Sequence, residues 1–255
     1  MPKPVLPAFA ATLLVTVSLY LWQLAYVWTD WAALALLPLA AVIGAGIWPL
    51  VRDPWRARLL IMLRPDSVLG RWLTGWLRAT VITVVFTFVT VTLLAWQALN
   101  LDAVGAALFL SAFLLSACLF ASGQNWLLRH FYQPFARSFA TTAVTWLVAL
   151  PFTLILAFAT WSSAMMPGAI LQADLPGAVQ IGLQNLPERG GWIAYLLAIP
   201  YGYEAVKIWA VVQLRDYWIF GVMFSIDAAL YSFVLCRSAI VITQFIETYV
   251  MKADH

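Results

Sequence analysis

The chain has 255 residues, 64% of them hydrophobic and 10% charged, with a mean hydropathy of +0.90. A soluble domain carries roughly a quarter charged residues, and no polar stretch here is longer than a loop. A separate soluble catalytic domain is therefore excluded, and one integral membrane domain over 1–255 is expected. The net charge of +3 is no nucleic-acid signal, because the basic residues gather in particular loops and report orientation instead.

A membrane-spanning helix needs about 20 apolar residues. In chain order, seven runs meet or approach that length: about 5–28, 31–51, 76–98, 103–123, 139–161, 192–213 and 217–237. The expected fold is an all-α polytopic membrane protein with six or seven transmembrane helices. The first run follows Met1-Pro-Lys-Pro directly, is too long for a signal peptide and lacks a small-residue cleavage site. Most of the 14 tryptophans fall where runs begin or end, the level at which an indole meets lipid headgroups. Only Trp22 and Trp146 sit well inside a run.

Gly44 and Gly46 in the second run indicate close helix contact. The connection Arg52–Leu77 contains a short amphipathic stretch from Trp55, then Arg64-Pro65-Asp66-Ser67. Pro65 breaks a helix there, and Asp66 or Ser67 can cap the next one. Thr80, Thr83, Thr87 and Thr90 in the third run form one stripe at helical spacing. On a spanning helix such hydroxyls bond to their own backbone or join a neighbouring helix; the alternative is that the stripe lines a pathway. Ser162–Gly191 holds Pro167, Pro176 and Pro187 around a weakly amphipathic 177–186, suited to an interfacial position. The final run stays apolar to Val250. That is too long for one perpendicular span, so it must tilt, protrude or break near Arg237.

Orientation follows from the arginines. Arg52, Arg56, Arg58, Arg64, Arg71 and Arg78 crowd one connection, Arg129 and Arg137 the next on that side, and Arg215 a third. The opposite connections hold Asp30, Asp102, Asp174, Glu188 and one arginine, Arg189. The positive-inside rule places the first set, and the N-terminus with Lys3, in the cytoplasm of a cell whose inner membrane holds the chain. A bacterial inner membrane is the expected location. Seven crossings put the C-terminus outside; a final run that does not fully cross returns it to the cytoplasm.

The sharpest chemical signal is a group of charges inside apolar runs. Glu204 and Lys207 are three residues apart, hence on one helix face. Asp227 follows in the next run, and counting from the turn near Arg215 puts all three near the bilayer midplane. Charges there are costly and should pair or face water. Pro200 and Gly202, one turn earlier, can break the helix, and broken helices at midplane build binding sites in many carriers. Two readings stay open: a structural ion pair locking two helices, or a transport or proton-handling site. Cys118 and Cys236 read as small buried hydrophobes, and two histidines, His130 and His255, cannot build a haem or metal site. No cofactor and no metal are expected. No paired nucleophile and base is present, so no enzymatic activity is expected either.

The stretch Ala57-Arg-Leu-Leu-Ile-Met-Leu-Arg-Pro-Asp-Ser-Val-Leu-Gly-Arg-Trp resembles one in exporter-type permease subunits of ATP-binding-cassette transporters. In those, two helices precede a cytoplasmic segment with a leucine-rich turn, Pro, Ser and a Gly-Arg or Gly-Lys that opens the third helix. Pro65, Ser67, Gly70 and Arg71 stand at the comparable places. The resemblance implies about six spans, a cytoplasmic N-terminus and a longer external segment before the final span. It also implies that Arg56, Arg58, Arg64, Pro65 and Asp66 form a docking loop for a cytoplasmic ATPase. The chain departs from the family in lacking an N-terminal interfacial helix and in its apolar tail 217–250. The expected function is a transport component that works with a cytoplasmic partner. The alternative is a non-transporting subunit or assembly factor of a larger membrane complex for secretion, conjugation or envelope polysaccharide.

Overall fold

The computed structural model describes residues 5–62, 76–100, 103–163, 173–184, 191–213 and 218–251. Among these the chain forms α1 (Val5–Tyr26), α2 (Leu37–Met62), α3 (Trp76–Asn100), α4 (Ala103–Leu127), α5 (Gln133–Ser163), α6 (Leu175–Gln184), α7 (Trp192–Gln213) and α8 (Trp218–Phe245). A 3-10 turn over Asp30–Leu36 leads into α2. A π turn over Ile246–Val250 extends α8.

Among the described residues, six helices are long and apolar enough to cross a membrane: α1, α2 with its preceding turn, α3, α4, α5 and, in the last helix, Ser225–Val250. Six is the lower of the two numbers expected, and the run 192–213 is the one that does not qualify. Helix α7 has the length, at 22 residues, but Glu204, Lys207 and three tyrosines dilute its apolar content. Its main packing partner is the short α6, while Ile193, Leu197 and Tyr201 join the core of the bundle. The predicted run 31–51, from Leu37 on, and the amphipathic stretch from Trp55 join in one helix, α2, which passes through Pro49 and Pro54.

The last helix is the centre of the bundle. Its apolar window is 61% buried inside the protein, against 28–39% for the other five. It packs on α5, α4, α2 and α1. No break occurs at Arg237: α8 runs through that residue and ends only where the Met251 amide reaches the Ile246 carbonyl, at 3.0 Å.

Apolar surface gains little by leaving lipid, so close backbone approach and hydrogen bonds decide which helix faces meet. A Cβ on Gly46 would land on the Val241 carbonyl oxygen, so α2 and α8 touch backbone to side. Gly44 faces the Thr87 hydroxyl, at 3.6 Å from where its Cβ would be, and the Thr83 methyl at 3.9 Å. The threonine stripe therefore packs α3 on α2, as expected. Trp22 donates its indole N–H to the Ala95 carbonyl at 3.0 Å, and the Gln23 amide donates to Ala98, joining α1 to α3. Thr141, Thr145 and Thr153 of α5 donate to carbonyls one turn back, which removes the cost of burying a hydroxyl. Arg78 lies 4.1 Å over the Trp55 ring and ties the start of α3 to the end of α2. Trp28, Trp31, Trp76, Trp126 and Trp192 at helix ends are exposed, the disposition expected of an interfacial belt.

Candidate charged site between α7 and α8

The site rests on the α6–α7 hairpin, so its construction begins there. Asp174 caps α6: its carboxylate accepts from the Gly177 amide at 3.0 Å, the bond an N-cap makes to the third helical residue. Pro176 falls in the first turn, where a missing N–H costs nothing. The two helices run antiparallel, with Trp209 donating to the Ala173 carbonyl at 3.1 Å at one end. Further along, a Cβ on Gly182 would meet Ala205 directly. The Tyr201 hydroxyl ties the hairpin to α3 by donating to Asn100 Oδ1 at 2.7 Å.

The predicted helix break at Pro200 and Gly202 is not present. Helix α7 is continuous from Trp192 to Gln213 with Pro200 inside it. Proline removes one backbone bond there, and the packing of Tyr201 (5% exposed) and Ala205 (3% exposed) holds the helix on either side. Gly202 meets Val179 of α6 at 3.8 Å, an ordinary contact.

The charges do come together. Lys207 Nζ donates to Asp227 Oδ2 at 2.8 Å, with the side chains 18% and 35% exposed. The Tyr203 hydroxyl donates to the other carboxylate oxygen at 3.4 Å, and Lys207 stands 6.0 Å from the Tyr203 ring centre. Asp227 is thus held by a cation and a phenol from one face of α7, and Tyr203 is a member that spacing of charges alone did not reveal. Glu204 is on the same side. Burial pushes its carboxyl above the ordinary range, Lys207 opposes that, and Asp227 adds to it.

Asp227 lies on α8, which stays helical from Trp218 through Arg237 to Phe245. Among the described residues, no group of three or more metal-binding side chains occurs. Arg56 and Arg58 are exposed on the last turns of α2. Arg64, Pro65 and Asp66, predicted as part of the docking loop, lie outside the described residues.

The raised carboxyl of Glu204 gives a pH test. The folded state holds this proton to higher pH than the unfolded chain does, so its contribution to stability is present below the ordinary carboxylate range and is lost as pH rises. Glu204→Gln removes that dependence. In detergent, E204Q should gain heat stability relative to the parent near pH 8, and the gain should shrink towards about pH 4. A difference independent of pH would count against a buried, titrating Glu204.

No protein-family model, curated protein or solved structure matches this chain.

Proposed function

We propose that the chain is a membrane permease subunit that works with a cytoplasmic ATPase. One observation carries this reading: of the described helices, the pair outside the six candidate spans, α6 and α7, lies between the fifth and sixth of them. This is the place where the resemblance to exporter-type permeases puts a longer external segment. With six crossings, both ends of the chain share a side; the connections that hold Arg52 to Arg78 and Arg129 with Arg137 favour the cytoplasm of a bacterial inner membrane for it, whereas Arg215 falls on the opposite side in this topology. The end of α2, with Arg56 and Arg58 exposed, then faces an ATPase.

The test is purification of the tagged chain from its native membranes, with nucleotide hydrolysis and partner identity as readouts. An ATPase should accompany the chain. Replacing Arg56, Arg58 and Arg64 together with Gln should leave the chain inserted and abundant while reducing ATPase recovery several-fold. An unchanged recovery would mean that the arginines serve only orientation, and no ATPase at all would refute the permease reading. The second reading, a non-transporting subunit, is favoured by the Lys207–Asp227 pair, which fastens α7 to the central helix and needs no transported solute to explain it.

A further inference from the structure

Arg52 and Arg78 bound the apolar parts of two neighbouring helices at the same end. Residues 37–51 of α2 and 79–100 of α3 hold no charged side chain, and the first charge beyond each is one of these arginines. The helices pack side by side and antiparallel, with Gly44 beside Thr87 and Trp55 beneath Arg78.

Trp55 stands between the two cations. Arg78 is centred 4.1 Å over its ring, and Arg52 lies one turn back on the same face of α2. A guanidinium that meets an aromatic face keeps its fork of N–H donors for another acceptor. Among the described residues no hydrogen bond or ion pair engages either arginine. The one acid on α2 and α3 is Asp53, which is exposed. It points about 100° from Arg52 and about 160° from Trp55 around the helix, and it pairs with neither arginine.

The same corner is apolar on its other side. Val81, Val85 and Phe88 follow Arg78 on one face of α3 and are 54%, 56% and 71% exposed. Two cations without a counter-ion, set at the head of an exposed apolar lane, complement an acceptor-rich headgroup that carries acyl chains. A free phosphate would use the arginines alone and leave the lane bare. A zwitterionic headgroup brings its own cation and leaves the pair in excess.

We infer that Arg52 and Arg78 seat the headgroup phosphate of one anionic phospholipid, with Trp55 backing Arg78 and the acyl chains lying on Val81, Val85 and Phe88. The inference does not rest on the ATPase reading, which uses Arg56 and Arg58 further along α2. A failed recovery of an ATPase leaves it standing.

The experiment purifies the full chain from its native membranes and identifies retained lipid by native mass spectrometry. Melting temperature and binding are then measured in detergent with added phosphatidylglycerol, phosphatidylcholine or glycerol phosphate. One anionic phospholipid should stay with each chain, and of the three additives phosphatidylglycerol alone should raise the melting temperature. Arg78→Gln should weaken phosphatidylglycerol binding about fivefold, and Arg52→Gln with Arg78→Gln about thirtyfold. Arg56→Gln with Arg58→Gln removes the same charge from the same helix and should leave most of the binding. If the Arg52 and Arg78 double variant is not recovered folded, Arg78→Gln alone decides. Equal retention of phosphatidylcholine overturns the proposal, because charge then selects nothing. An equal response to glycerol phosphate overturns it by giving the site to a soluble phosphate ester. So does an equal loss in the Arg56 and Arg58 variant, which leaves only diffuse attraction, and so does undiminished binding in Arg78→Gln.

Discussion

Gly46→Ala is expected to cost about 2–3 kcal/mol, the upper range for forcing a methyl group into a closed contact, and to sharply reduce recovery of folded protein. The added Cβ meets the Val241 carbonyl oxygen and Cγ1. A carbonyl cannot rotate away as a side chain can, so α2 and α8 must separate along their whole shared face. Gly44→Ala, two residues earlier, is the matched control. Its Cβ meets only Thr87 and Thr83 side chains at 3.6 and 3.9 Å, and alanine favours the helix by up to about 1 kcal/mol, so the change should be neutral or mildly stabilising. Size-exclusion profiles and melting temperatures of the two variants in one detergent decide it; equal behaviour would show that the α2–α8 contact is not close.

Lys207→Met should be the more costly change on the hairpin. It strands Asp227, whose carboxylate keeps only the longer Tyr203 bond. A fully dry stranded charge costs about 3–5 kcal/mol, and an exposed pair is worth under about 1 kcal/mol. With one side chain 18% and the other 35% exposed, about 1–3 kcal/mol is expected. Pairing Lys207→Met with Asp227→Asn should recover most of the lost abundance. If Asp227→Asn alone leaves abundance intact but removes activity, the cluster handles a solute or a proton; if the double variant regains activity with abundance, its role is structural. Single variants indistinguishable from the parent in both measurements would remove the cluster from either role.

Much of the bundle was legible in the sequence because apolar runs of spanning length have few alternatives. The runs beginning near residues 5, 76, 103 and 139 became α1, α3, α4 and α5, and Gly44 with the threonine stripe became a helix seam. The choice between six and seven spans turned on α7, whose ends are apolar while Glu204 and Lys207 sit in its middle. The final run, expected to tilt, protrude or break near Arg237, passes that residue unbroken, and its length is the mark of a central helix. The Lys207–Asp227 pair was legible from residue types. Tyr203 joined the site through the helical face it shares with Lys207, a relation that gives no signal among so many aromatic residues.

The central position of α8 has a consequence for how the molecule is made. Tyr26 and Leu235 belong to one core but stand 209 positions apart. Chains of such long sequence separation close late, and here the closing piece is synthesised after nearly everything it must enter. The earlier helices have to wait in the bilayer with their inner faces, glycines and threonines included, unmatched, and then part to admit the last one. Nascent chains paused before Ser225 should therefore be substrates for membrane chaperones and proteases.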